Sequence, residues 1–139
     1  MSSAIVGLTA DTSAVLAALS AWHVHHDVAA RALETVTALP AHVMLETYSV
    51  LTRLPSGLAV PAPAAADVLG RRFADAPLAL PDRDRRVLLK TFIHAGILGG
   101  ASYDGLVALE AHAHGRTLFS LDQRAQETYR RLGVPFQAS

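Results

Sequence analysis

The chain has 139 residues, of which 51% are hydrophobic and 17% are charged, and its 12 Lys and Arg residues balance its 12 Asp and Glu residues. This composition excludes a disordered chain, and the length favours a single domain over residues 1–139. The absence of cysteine excludes a disulfide framework and a thiolate nucleophile, and it is compatible with the cytoplasm. No apolar run reaches the roughly 18 residues that a membrane span requires, so we expect no membrane partner.

Predicted strands and helices alternate along the chain. Residues 5–10 form an apolar run with β-branched residues and predict a first strand, after which Asp11 is placed to cap a helix. Later patterns predict helices over 28–39, 45–54, 61–74, 82–95, 102–114 and 123–132, an extended piece at 41–44, and short strands at 77–80, 117–120 and 134–137. This alternation is typical of an α/β fold in which helices cover both faces of a mainly parallel sheet.

Four carboxylates stand in otherwise apolar segments. Asp11 and Asp122 each end a predicted strand just before a helix, and Glu46 and Asp104 stand near the beginnings of two other predicted helices. Ligands of open α/β sheets collect at the carboxyl ends of the strands. Each acid alone has a structural interpretation as a helix cap or a first-turn charge. Four acids in one place would repel each other unless a cation such as Mg²⁺ or Mn²⁺ neutralised them.

The order and spacing of these acids resemble those of PIN-domain ribonucleases, and especially the toxin component of VapBC-type bacterial toxin–antitoxin pairs. The matching stretches are ADTSAVLAAL, LETYSVLTRLP, YDGLVALEA and TLFSLDQRA. The resemblance implies a three-layer α/β/α sandwich around a mainly parallel sheet. It also implies endoribonuclease activity with Mg²⁺ or Mn²⁺ as cofactor, an RNA substrate, and a cognate antitoxin protein as partner.

The resemblance also assigns roles to individual residues. It implies that four acids are both catalytic and metal-binding: Asp11, Glu46, Asp104 and Asp122. Ser13 matches the hydroxyl that helps to fix the first carboxylate, with Thr12 as the less favoured substitute. Ser120 matches the small polar residue two positions before the last acid. Gly105 departs from the pattern, because alanine is more usual after the third acid.

Other polar and aromatic residues have two interpretations each. Arg53, two helical turns beyond the second acid, either supports the site by steering phosphate or compensates the dipole at a helix end. Arg124 either contacts RNA or lies on the surface, and the basic cluster at 83–90 is interleaved with acids, which favours a self-compensated helix start. Trp22 and Tyr48 either stack on bases or pack against the core or a partner.

Apolar helical stretches at 28–39 and 45–54 predict a groove for an antitoxin helix and a surface for self-association, so we expect a homodimer or a higher toxin–antitoxin assembly. The histidines at 23–26 favour a polar loop over a zinc site. Two other functions stay open: a phosphotransfer enzyme with Asp11 as nucleophile, which lacks a suitably placed lysine, and a non-catalytic PIN-like module that binds RNA or protein. A P-loop or Rossmann nucleotide binder is excluded because no glycine-rich loop follows the first strand.

Overall fold

A three-stranded parallel sheet forms the centre of the molecule, which a computed structural model describes from residue 7 to residue 138. The strands lie in the order β1, β2, β3, with β1 at Leu8–Ala10, β2 at Thr117–Ser120 and β3 at Phe136–Ala138. Leu8 of β1 pairs with Thr117 of β2, and Leu118 of β2 pairs with Phe136 of β3. Positions 5 and 6 of the predicted first strand lie outside the described residues.

Eight helices lie within residues 7–138 and surround this sheet. They are α1 (Thr12–Leu19), α2 (His26–Ala32), α3 (Ala41–Thr52), α4 (Ala62–Arg72), α5 (Asp82–Arg86), α6 (Leu88–Ala95), α7 (Ala101–Ala113) and α8 (Gln123–Leu132). The predicted α/β/α sandwich with a parallel sheet is therefore confirmed. None of these helices, over the part of the chain that the structure describes, is both long and apolar enough to cross a membrane.

The predicted helix over 28–39 is too long, because α2 ends at Ala32. Beyond it, the guanidinium of Arg72 donates hydrogen bonds to the carbonyl oxygens of Leu33 and Val36, the latter at 2.8 Å. The chain then becomes extended, and the Leu78 amide donates to the Leu39 carbonyl at 2.9 Å. The apolar pattern continued past the helix because this extended segment is also buried.

The predicted extended piece at 41–44 is wrong, because these residues form the first turn of α3. Pro40 precedes this turn with φ of −52° and ψ of 140°, and its missing amide costs nothing at a helix beginning. The buried carboxylate of Glu110 replaces a local cap, since its Oε1 accepts a hydrogen bond from the His42 amide at 3.0 Å. Consequently Glu46 lies in the second turn of α3 and not at its beginning.

Several other boundaries differ from the prediction, including that of the strand expected at 134–137, which is β3 at Phe136–Ala138. The helix expected over 82–95 is divided into α5 and α6 at Val87, whose φ of −105° and ψ of 8° leave the helical range. The helix expected over 102–114 begins one residue earlier, because α7 starts at Ala101 and the cap position belongs to Gly100. The predicted end of the last helix is confirmed, and Gly133 there adopts a left-handed conformation with φ of 68°.

The middle strand of the sheet, β2, is buried in the core and leads to the site. Leu118, Phe119 and Ser120 of β2 are all buried, as expected for a parallel strand that is covered on both faces. At its carboxyl end, the Asp11 amide donates a hydrogen bond to the Phe119 carbonyl at 3.2 Å. The ends of β1 and β2 therefore lie side by side, and the chain leaves both at the same edge of the sheet.

Candidate active site

Asp11 and Asp122 follow the adjacent ends of β1 and β2, and both are helix caps. Asp11 precedes α1, and its Oδ1 accepts a hydrogen bond from the Ala14 amide at 3.2 Å. Asp122 precedes α8, and its Oδ1 accepts from the Arg124 amide at 2.9 Å and the Ala125 amide at 3.2 Å. The capping interpretation thus applies to both acids, and it also fixes where their carboxylates lie.

Glu46 from α3 and Asp104 from the first turn of α7 meet these two caps. All four predicted acids line one cavity of about 250 Å³. Thr12, Ser13 and Tyr129 contribute hydroxyl groups to its wall, whereas Leu16, Val107 and Ala125 contribute apolar surface. The structure therefore brings together four acids that are up to 111 positions apart, from Asp11 to Asp122.

Asp11 is the most constrained of the four acids, with only 5% of its surface exposed. The Ser13 hydroxyl donates to its Oδ1 at 2.6 Å, and the same hydroxyl accepts from the Leu121 amide at 3.0 Å. The fully buried Tyr129 donates its hydroxyl to Oδ2 at 2.8 Å. Burial raises the pKa of Asp11 above its usual range, and these hydroxyl hydrogen bonds oppose that rise.

Tyr129 is a site residue that our reading of the sequence did not single out. Burial and the carboxylate of Asp11 both raise the pKa of its phenol, so Tyr129 remains a hydrogen-bond donor. It lies seven residues after Asp122, two turns along α8 and on the same face of that helix. That helical spacing is the sequence signal that could have revealed it.

Asp104 shows most clearly that negative charge accumulates in this cavity. Burial raises its pKa to about 6, with further contributions from the carboxylates of Asp122, Glu46 and Asp11. The charge of Arg124, whose side chain is exposed, partly opposes the rise. No hydroxyl or amide within residues 7–138 donates a hydrogen bond to the Asp104 carboxylate. Its oxygens therefore remain available as acceptors.

The other predicted polar residues have defined positions around the acids. Thr12 donates its hydroxyl to Glu46 Oε1 at 2.5 Å, so it holds the second acid while Ser13 holds the first. Ser120 is buried, and its hydroxyl accepts a hydrogen bond from the Asp122 amide at 3.1 Å. Arg53 ends α3, and its Nε donates to the Ser49 hydroxyl at 3.4 Å. Arg53 also lines a neighbouring cavity of about 310 Å³.

Exposed aromatic residues line the cavities on both sides of the four acids. Trp22 lines a cavity of about 410 Å³ that shares Ser13 and Leu16 with the acidic cavity. On the other side, a cavity of about 310 Å³ shares Glu46 with it and includes Tyr103. Tyr48 is half-buried and packs against the core, and residues 83–90 do not line the acidic cavity.

Gly105, beside the third acid, departs from the expected alanine for a reason that the packing shows. A Cβ atom at this position would lie 2.7 Å from Cε1 and 2.9 Å from Cζ of the Phe92 ring. The buried ring of Phe92 thus occupies the space that an alanine methyl group would fill.

Carboxylate oxygens suit a hard divalent cation, although the four carboxylates do not converge on one point. Within residues 7–138, no group of three or more Asp, Glu, His or Cys side chains is arranged to hold a metal ion directly. Mg²⁺ usually keeps several waters and takes one or two carboxylates from the protein. Four carboxylates around one cavity, one of them with its pKa raised by burial and by the other three, fit such a water-rich site.

Comparison with known proteins identifies the family of the chain. Residues 9–131 match the PIN domain family. The chain is 42% identical over 129 residues to Ribonuclease VapC40 of two Mycobacterium tuberculosis strains, CDC 1551 / Oshkosh and ATCC 25618 / H37Rv, covering 89% of this chain and 92% of each relative. It is 41% identical over 132 residues to Ribonuclease VapC27 of strain ATCC 25618 / H37Rv, covering 95% of this chain and 89% of that protein. The chain therefore belongs to the PIN-domain family and is of the VapC type.

Proposed function

We propose that this chain is a Mg²⁺- or Mn²⁺-dependent endoribonuclease that acts as the toxin of a toxin–antitoxin pair. The observation that carries the proposal is the meeting of four carboxylates around one cavity, where their mutual repulsion contributes to the raised pKa of Asp104. The similarity to two proteins named as VapC ribonucleases supports the same activity. The substrate would be RNA, cleaved by hydrolysis of a phosphodiester bond.

Asp11 and Asp104 are the acids that would mainly hold the ion, with Glu46 and Asp122 acting directly or through water. When bound, the ion supplies a water of lowered pKa as nucleophile and positive charge beside the phosphate. Asp104 suits this role because its carboxylate accepts no hydrogen bond from residues 7–138. Neutralisation by a cation would remove the repulsion that raises its pKa.

The surrounding residues hold the acids in position. Ser13 and Tyr129 donate hydrogen bonds to opposite oxygens of Asp11, which fixes the plane of its carboxylate. Thr12 restrains Glu46 in the same way at one oxygen. Because these donors are already in place before substrate binds, little reorganisation is needed during the reaction.

Metal-dependent cleavage separates this proposal from a non-catalytic PIN-like module that binds RNA or protein. We expect the purified chain to cleave RNA only with Mg²⁺ or Mn²⁺, and to bind Mn²⁺ in a calorimetric titration. Asp11→Asn and Asp104→Asn should lose both properties. Glu127→Gln, which removes an exposed carboxylate of α8 outside the cavity, is the matched control and should retain both. Cleavage by Asp104→Asn at the wild-type rate in metal-replete buffer would refute the proposal.

We further propose a cognate antitoxin protein as partner and a homodimer or higher toxin–antitoxin assembly. Exposed apolar side chains on and after α6 support a protein-binding surface, with Leu89 exposed by 71%, Ile93 by 75% and Leu98 by 77%. Co-expression with the neighbouring gene, followed by light scattering, tests both points. A monomer that does not bind the co-expressed product would contradict both proposals. We also propose that residues 1–139 form one PIN-like domain, which meets its RNA in the cytoplasm.

A further inference from the structure

A stacked pair of rings lies beside the four-acid cavity. The rings of His42 on α3 and Tyr103 on α7 are nearly parallel, with centroids 5.6 Å apart and an interplanar angle of 11°. Tyr103 is 60% exposed, although His42 covers part of its ring. The pair therefore presents a flat aromatic surface to solvent, and the core does not use it.

This ring pair is continuous with the carboxylates. His42 stands one turn before Glu46 on α3, and Tyr103 directly precedes Asp104 in the first turn of α7. Both rings line the cavity of about 310 Å³ in which Glu46 also lies, and Glu46 is shared with the four-acid cavity. The Tyr103 ring therefore lines a cavity that adjoins the four-acid cavity at Glu46.

The two helices that carry the ring pair are held together by a contact that does not involve the rings. Glu110, buried on α7, accepts a hydrogen bond from the backbone amide of His42 at 3.0 Å. The same two helices that carry the rings are thus joined at the base of the pair. Such a surface loses little conformational entropy when a ligand binds to it.

A positively charged side chain lines the same cavity as the rings. Arg53 ends α3, eleven residues after His42, and it lines this cavity together with both rings. A flat aromatic face with a guanidinium nearby matches a nucleotide, because the base has a π-face and the phosphate accepts bidentate hydrogen bonds. This combination favours a nucleic acid over an apolar peptide segment as the occupant of the groove.

We propose that Tyr103, backed by His42, is the stacking platform for one unpaired RNA base next to the cleaved phosphodiester, and that Arg53 binds a phosphate on the same side. This inference rests on the proposed ribonuclease function and specifies how the substrate is placed. It makes Tyr103 and Arg53 positioning residues for the substrate. It also predicts a preference for unpaired RNA, since a paired base is already stacked within its helix.

Binding of single-stranded RNA decamers that carry 2-aminopurine at each position in turn tests the platform. The measurements use Asp11→Asn protein, so that cleavage does not consume the RNA. In this background Tyr103→Phe should bind as Asp11→Asn alone does, and Tyr103→Leu should bind about 5- to 100-fold more weakly and lose the fluorescence quenching of one base. Arg53→Ala should weaken binding and reduce its salt dependence. Val68→Ala truncates an exposed apolar side chain of α4 outside the cavity and should change neither property.

The outcomes separate the platform from the ribonuclease activity. Equal affinity and equal quenching for Tyr103→Leu, while the wild-type chain cleaves RNA with metal, would overturn the platform and leave the proposed function intact. Loss of antitoxin binding by Tyr103→Leu with unchanged RNA binding would assign the rings to the protein partner and also overturn it. A wild-type chain that neither binds nor cleaves RNA would overturn both.

Discussion

Replacing Asp104 with asparagine should stabilise the metal-free protein while removing a proposed metal ligand. The rise of the Asp104 pKa from 3.8 to about 6 corresponds to about 3 kcal/mol against the ionised form in the folded state. Because the side chain is only half-buried, solvent screening reduces this to about 1–2 kcal/mol. Loss of a favourable charge in the first turn of α7 subtracts roughly 0.5 kcal/mol. A net gain of about 1 kcal/mol remains, or roughly 3–5 °C in Tm.

The sign of this effect depends on pH. The ionised carboxylate destabilises the folded state, so its cost is absent below the ordinary pKa of 3.8 and complete above about pH 6. Thermal unfolding in EDTA should therefore show a higher Tm for Asp104→Asn than for wild type at pH 7.5, and nearly equal values at pH 4. Mn²⁺ should then raise the wild-type Tm more than that of the variant.

Asp27→Asn provides a matched control, because Asp27 is an exposed first-turn acid of another helix, α2. It should be slightly less stable than wild type at pH 7.5, since only the favourable helix-dipole term is lost. Asp104→Asn with a lower Tm than wild type at pH 7.5 in EDTA would refute the reasoning. A Tm difference that persists unchanged at pH 4 would refute it equally.

Three further substitutions test contacts around the site. Tyr129→Phe removes the buried hydroxyl that donates to Asp11 at 2.8 Å. This variant should lower the free energy of unfolding in urea by about 1.5–3 kcal/mol and weaken Mn²⁺ binding. Unchanged values would contradict the role of this hydrogen bond. Ser13→Ala removes the hydroxyl that joins Asp11 to a backbone amide 3.0 Å away, so we expect a loss of about 1–3 kcal/mol by the same assay, whereas an unaltered midpoint would count against it. Gly105→Ala should destabilise the folded protein by about 1–3 kcal/mol despite alanine's higher helix propensity, because its methyl group would overlap the Phe92 ring. Phe92→Leu should relieve this overlap in a double-mutant cycle. A Gly105→Ala variant that is more stable than wild type would disprove the overlap.

Local rules predicted those parts of the fold whose signals lie within a few residues. The strand at 117–120 coincides with β2, because an apolar run is bounded by a preceding glycine and a following helix cap. Asp122 begins α8 as expected, since a capping carboxylate needs only the amides of the next turn. The helix predicted from Pro61 corresponds to α4, because proline suits the first turn of a helix.

Local rules failed where a distant group decided the conformation. The periodicity over 28–39 did not reveal that Arg72 would bind carbonyl oxygens 36 and 39 residues away and end the helical turns near Leu33. The piece at 41–44 became helical with a cap from Glu110, a residue 68 positions from His42. The spacing of apolar residues indicates burial, and an extended buried segment has nearly the same apolar pattern as a buried helix.

The α/β alternation, the two capping acids at strand ends and the candidate set of four carboxylates could be predicted from the sequence. They depend on short-range pattern and on the chemistry of each side chain. The hydrogen bond from Tyr129 to Asp11, 118 positions away, and the one from Thr12 to Glu46, 34 positions away, form only in the folded chain. The same holds for the stacking of His42 and Tyr103 beside the acids. Such contacts depend on how α3, α7 and α8 pack around the sheet. No local pattern encodes that packing, because it results from burying the apolar faces of all the elements together.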